Sequence, residues 1–295
     1  MFAPFSLQVL VNVGASSDCT LGFDEMWIAQ HESGLACSDE TVTLTRNLLL
    51  RSLPHQDLER LYPLLQKVSL TPRRVLQHAG VPIEHLYFIE EGLVSVLAKT
   101  DERNAVEVWL IGREGAVGST VALGIKTSML SHFVQIGGSA LKIGVQDLDR
   151  AMSENSRLRA ALHDYLHATL MQSSQSAACS LRHSFLQHMA RWLLTAQDRS
   201  DSDELPITQE VLARSLGVRR PTVTGAIKLL EGRGVFGRKR GLIRILDRGA
   251  LEQIACRCYR AMCFRDAKGG RSEARRKWLL ALSVLGCLLE IELFA

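Results

Sequence analysis

Ten basic residues stand between positions 208 and 248: Arg214, Arg219, Arg220, Lys228, Arg233, Arg238, Lys239, Arg240, Arg244 and Arg248. Only Glu210, Glu231 and Asp247 oppose them, so this stretch carries +7 while the whole chain carries +4. Positive charge concentrated in this way suits a polyanion, because each neutralised phosphate releases condensed counterions. The competing reading is a solvated basic face on an ordinary helical pair. A second group that could carry chemistry is Cys256-x-Cys258-x4-Cys263. It could hold a metal or sense oxidants, but without a fourth ligand the spacing is a weak metal signature; the favoured reading is scattered reduced thiols, and no metal site is predicted. Paired carboxylates, a nucleophile–base pattern and a phosphate-binding loop are all missing from the sequence, so an enzyme is not expected.

The elements that must position the basic residues are legible around them. Thr208 can cap a helix with its hydroxyl, and Glu210 places a negative charge in the first turn, where the helix dipole favours it. Val211, Leu212 and Leu216 give that helix an apolar side. Gly217 tolerates the left-handed backbone that stops a helix and turns the chain. Pro221 suits the start of a second helix, where its missing N–H does no harm. In that helix Val223, Ala226, Ile227 and Leu230 share one face, while Pro221, Thr224, Gly225 and Lys228 share the other, with Arg220 at the leading end. Gly232 and Gly234 end it. Arg238-Lys239-Arg240-Gly241 reads as a hairpin tip and 242–246 as a short strand. The pattern is a helix, a short turn, a second helix and a wing.

Residues 207–246 resemble the winged helix-turn-helix of the Crp/Fnr family of bacterial transcription regulators. The resemblance rests on Ile207-Thr208, Leu212-Ala213, Leu216-Gly217, Arg220, Thr222-Val223, Ile227 and Leu230. It implies that Arg220 reads bases, within a DNA-contacting set of Gln209, Arg219, Arg220, Thr222, Thr224, Lys228, Arg238, Lys239 and Arg240. It also implies a homodimer on a palindromic site in double-stranded DNA, RNA polymerase as a candidate second partner, and a cytoplasmic location. The chain departs from the family at Arg219, Pro221 and Gly225, so a base-reading glutamate and a second arginine have no counterpart. That departure puts the family's best-known operator sequence in doubt, not DNA binding itself.

The chain has 295 residues, enough for two ordinary domains, and with 46% hydrophobic and 22% charged residues it is globular. Seven cysteines, at 19, 37, 179, 256, 258, 263 and 287, form no disulfide framework and suit a reducing compartment. The first residues lack the basic stretch of a signal peptide. The apolar run 278–289 is shorter than the ~20 residues a bilayer span needs, so no membrane partner is expected.

Upstream, 1–45 reads as an extension without a trusted period. Leucines between 48 and 65, interrupted at Pro54, predict two short helices. From 68 to 143, branched runs at 86–89, 93–98, 106–111, 133–136 and 140–143 alternate with glycines, as in a β-sandwich or jelly roll. The run 85–94, HLYFIEEGLV, resembles the sensor domain of the same family, a cyclic-nucleotide-binding-like β-roll. The effector pocket would then involve Gly118, Ser119 and Thr120. Cyclic AMP is not expected there. The family's ribose-binding glutamate is replaced by Ser119, and no arginine stands near Ser131-His132-Phe133 to meet the phosphate. An iron–sulfur cluster is not expected from Cys19 and Cys37, nor haem from His78 or His85; no cofactor is predicted.

Residues 147–174 predict one long helix in which Leu158, Leu162, Tyr165 and Thr169 repeat at four, three and four, a short dimer seam. The alternative is an amphipathic helix packed on its own domain. A further helix is expected over 179–197 and a polar loop over 199–204. His183 and His188 share no helix face and do not read as a metal pair.

The expected architecture is therefore α+β. An extension (1–45) precedes a β-roll sensor (46–147), a dimerisation helix (148–177), a winged helix-turn-helix (178–250) and a tail (251–295). The expected function is sequence-specific transcription regulation under an unidentified signal. The alternative is a small-molecule sensor acting through a protein partner, against which the basic wing argues.

Overall fold

The computed structural model describes residues 45–100, 105–200, 202–239 and 241–261, all within one compact unit, Cys37–Ala295. The expectations for the extension, for Cys19, Cys37, Arg240 and Cys263, and for the apolar tail lie outside the described residues.

The two short helices are α1 (Leu48–Arg51) and α2 (His55–Leu61). Asn47 ties α1 to the sheet. Its Oδ1 accepts from Leu50 N at 3.1 Å, and its Nδ2 donates to Ile89 O at 2.8 Å and Gly115 O at 2.9 Å. A fully buried amide is tolerated here because both ends find partners.

The roll is a six-stranded antiparallel sheet of β1 (Gln66–Leu70), β2 (Val75–Gln77), β3 (His85–Lys99), β4 (Ala105–Ile111), β5 (Ala116–Val117) and β6 (Ser131–Gly144). The order is β1-β6-β3-β4, with β2 also on β6 and β5 on β3. The expected runs at 86–89 and 93–98 are one strand of 15 residues, and those at 133–136 and 140–143 one strand of 14. Glycine bends these strands instead of ending them. Gly92 has φ +94°, and a β-carbon there would lie 2.5 Å from Ile136 O. Register shifts between β3 and β6 fall on either side of it, as expected where bulges curl a long sheet.

The expected helix over 147–174 is two helices, α3 (Val145–Glu154) and α4 (Ser156–Arg182). Asn155 makes the break: its backbone is extended and its side chain caps α4 by accepting from Arg157 N and Leu158 N. The dimer-seam expectation is corrected here. Leu158, Leu162 and Tyr165 are buried in their own protomer, in one core with Leu50, Leu58, Phe88 and Leu148. Thr169 is half-buried, its hydroxyl donating to Tyr165 O at 2.9 Å. A roll open on one side must be covered, and the apolar stripe of the adjoining helix covers it.

The C-terminal part comprises α5 (Phe185–Ser200), β7 (Glu204–Leu205), α6 (Gln209–Ser215), α7 (Arg220–Gly232), β8 (Phe236–Lys239), β9 (Leu242–Ile245), α8 (Arg248–Ile254) and α9 (Cys258–Ala261). The polar loop expected at 199–204 ends in β7, which pairs with β9 and makes the wing a three-stranded sheet. Met189, Leu193, Leu212, Val223, Ile227, Leu230 and Phe236 form its core, which Leu93 and Leu110 of the roll enter. Among the described residues no helix is long and apolar enough to cross a membrane.

Candidate nucleic-acid interface

The helix pair is built by the residues that announced it. Thr208 Oγ1 accepts from Val211 N at 3.2 Å and caps α6. Gly217 sits at φ +64°, and Val218 N then donates back to Ala213 O at 2.9 Å, closing the helix end. Pro221 occupies the first turn of α7. Val223, Ile227 and Leu230 are buried, so the helix has only one way to face.

That leaves Arg219, Arg220, Pro221, Thr222, Gly225 and Lys228 exposed. A β-carbon at Gly225 would meet nothing within 4 Å, so the front of α7 is open. Three residues expected to contact DNA, Arg220, Thr222 and Lys228, therefore share one accessible helix, and a fourth, Arg219, stands at its N-cap. Gln209 and Thr224 are half-buried, and the Thr224 hydroxyl donates to Gln209 Oε1 at 2.8 Å. They clasp α6 to α7 through the Thr224 hydroxyl and Gln209 Oε1. Arg238 and Lys239 belong to strand β8, not to the turn; Gly241, at φ +76°, makes the turn. Lys239 is exposed.

Two of the ten basic residues serve internal structure. Arg244 pairs with Glu204 at 3.7 Å. Arg248 bonds Asp198 at 2.7 Å and Glu252 at 2.9 Å, tying α8 to α5. The charge available to a partner is correspondingly below the count read from sequence.

Behind the reading face lies a polar junction with the roll. Glu107 of β4 accepts from Trp192 Nε1 at 2.5 Å and from Ser215 Oγ at 2.9 Å. Burial holds its carboxyl above the usual carboxylate range, against the hydrogen bonds from Trp192 and Ser215. Arg199 of α5 pairs with Glu114 at 3.1 Å, donates to Gln172 Oε1 at 2.8 Å and lies 5.1 Å over the Trp109 ring. A cavity of about 40 Å³ opens among Glu107, Gln172, His188, Arg191, Trp192 and Arg199. Desolvation pushes His188 down to about 4, so it is neutral there at physiological pH.

Gly118, Ser119 and Thr120 are not on that cavity. Gly118, at φ +84°, opens the 3-10 turn Ser119–Leu123, and α4 lies across the turn. His163 Nε2 is 3.2 Å from Ala122 O, and Val121 is buried in the same core as Leu158 and Leu162.

The thiols behave differently from the sequence expectation. Cys256 and Cys258 do find further ligand groups: Cys179, in the last turn of α4, and His183, just beyond its end. Cys256 and Cys258 are therefore not scattered: with Cys179 and His183 they form one cluster. The four-residue spacing of Cys179 and His183 was the signal in the sequence; what it faced was not.

Residues 187–254 match the model of the Crp-like helix-turn-helix domain. No curated protein sequence matches the chain. Among solved structures, FixK2 from Bradyrhizobium japonicum aligns with a TM-score of 0.56 at 15% identity, over 65% of this chain and 98% of that one. The c-di-GMP responsive global regulator CLP of Xanthomonas campestris aligns with a TM-score of 0.55 at 17% identity, over 66% and 100%. A CRP/FNR-family transcriptional regulator from Thermus thermophilus aligns with a TM-score of 0.52 at 23% identity, over 64% and 98%. The fold is thus a β-roll joined by a long helix to a winged helix-turn-helix, the fold of these regulators. The described residues share the fold of these structures, with a Crp-like helix-turn-helix domain over 187–254.

Proposed function

We propose that the protein binds a two-fold DNA site as a homodimer, with α7 of each copy in a major groove and each wing on the flanking backbone. The observation that carries this is the division of α7. Its apolar side is sealed into the domain, while Arg219, Arg220, Thr222 and Lys228 stand exposed at its leading end and front. A helix held by its back presents its N-terminal residues to base edges. A guanidinium there can bond a guanine's O6 and N7 together.

The dimer face in this reading is the outer side of α4. Ala160, His163, His167, Leu170, Ser174, Ala177 and Leu181 are exposed and recur at three and four residues. Leu170 is 63% and Leu181 85% exposed, which an isolated chain in water disfavours. RNA polymerase as a second partner, a cytoplasmic location and a signal other than cyclic AMP complete the reading. Ser119 supplies no carboxylate for a ribose, and α4 packs across its turn.

Selection of genomic fragments on the purified chain, then anisotropy on the recovered duplex and a scrambled one, tests the proposal. Tight binding to an inverted repeat by two copies is expected. Equal affinity for both duplexes would overturn it.

A further inference from the structure

From the convergence of Cys179, His183, Cys256 and Cys258 we infer a binding site for a single borderline-soft divalent cation of the zinc class. The ligand atoms come from three places in the chain. Cys179 lies in the last turn of α4, and His183 stands just after it. Cys256 and Cys258 flank the turn between α8 and α9. All four ligand atoms lie within 4.8 Å of one another. Cys179 Sγ is 3.4 Å from Cys256 Sγ, and Cys258 Sγ is 3.7 Å from His183 Nδ1.

A tetrahedral ion with metal–sulfur bonds of ~2.3 Å spaces its ligand atoms ~3.8 Å apart. The two closest contacts, 3.4 Å and 3.7 Å, fall just below that value, and no pair of ligand atoms is more than 4.8 Å apart. A polynuclear iron–sulfur cluster would hold its thiolates wider apart than these are. Four protein ligands fill a tetrahedron, so the site has no open position for a substrate or water and would be structural.

The surroundings suit a charged site. The three sulfurs are buried, with Cys179 fully enclosed. The Cys179 and Cys256 sulfurs lie within hydrogen-bond distance of each other, at 3.4 Å, so one thiol can donate to the other. Gln175, one turn before Cys179 on α4, donates from Nε2 to Cys258 Sγ at 3.0 Å. Three thiolates and a neutral imidazole around a divalent ion leave one negative charge, and the positive Arg191 acts on both Cys179 and Cys256. The ion would clamp the segment after the wing to the foot of α4. This inference stands on the cluster alone and does not depend on how the protein reads DNA.

The test uses the full chain, purified under mild reductant. Metal analysis should find one zinc per chain. Replacement by Co2+ should give the d–d bands of a tetrahedral site and intense thiolate-to-metal charge transfer. Cys258→Ser should lose the stoichiometric metal. His183→Ala should shift the Co2+ bands. Gln175→Leu should weaken Co2+ binding by about 10–100-fold, as removal of a bond to a ligand atom does. Should a variant fail to fold, Co2+ titration of the stripped, folded natural chain decides by itself. Absence of charge-transfer bands in that titration overturns the site. So does a Cys179–Cys256 disulfide in the purified chain, or retention of metal by Cys258→Ser.

Discussion

Arg199, on α5 of the helix-turn-helix domain, and Glu114, on the roll, pair at 3.1 Å with side chains only 5% and 3% exposed. The pair spans the junction between the roll and the helix-turn-helix domain. Arg199 also bonds Leu110 O and Gln172 Oε1, and Glu114 accepts from Gly112 N at 3.1 Å. Charges taken this far out of water persist only when each is matched.

Arg199→Met should therefore leave Glu114 stranded and destabilise the chain by about 3–5 kcal/mol. Arg199→Met with Glu114→Leu should recover much of that loss, since an apolar pair needs no solvation. Urea unfolding of both variants checks this. A double variant as weak as the single would mean that the pair is not what holds the junction.

Glu107 gives the junction a pH dependence of known sign. Its folded carboxyl titrates above the unfolded one, so the folded state keeps a proton where the unfolded state has lost it. The stabilisation is fully present below the unfolded value, about 4.3, and is lost as pH rises through the folded value. Glu107→Gln removes this titration. Melting temperatures of the two proteins across that range should converge at acid pH and separate upward, with the variant gaining. Parallel curves would sink the assignment.

The two faces of α4 should respond differently to charge. Leu162→Asp places a carboxylate at a position with 0% exposure inside the protomer, costing about 3–5 kcal/mol of fold stability. Leu170→Glu on the outer face should leave the protomer folded and convert dimer to monomer. Light scattering beside circular dichroism separates the outcomes. A dimeric Leu170→Glu would move the interface off this stripe.

In DNA binding, Arg220→Ala should narrow the gap between specific and scrambled duplex by about 1–3 kcal/mol. Lys239→Ala, on the wing, should weaken both alike and flatten the salt dependence by about one phosphate. Anisotropy across a salt series reads both. Equal loss on both duplexes for Arg220→Ala would show that this arginine only positions the helix.

Much of this protein was legible locally. Thr208, Gly217, Pro221 and the spacing of Val223, Ile227 and Leu230 act within a turn or two of themselves, so capping, left-handed backbone and helical period specified the reading helices directly. The glycine-rich strands were seen, but not their continuity. Whether Gly92 turns or bends a strand depends on Ile136, 44 positions away in the chain and hydrogen-bonded alongside.

The sequence by itself determined which residues of α4 share a stripe; only the tertiary structure decided what covers each stripe. Leu158, Leu162 and Tyr165 satisfy a dimer seam and a domain lid equally well by period, and the open side of the roll, a few ångströms away, claims them. The same holds for Cys179 and Cys256, whose sulfurs meet across 77 positions. Periodicity encodes direction around a helix axis. It carries no information about which distant segment arrives there, because that depends on how the buried surfaces of the whole chain are shared.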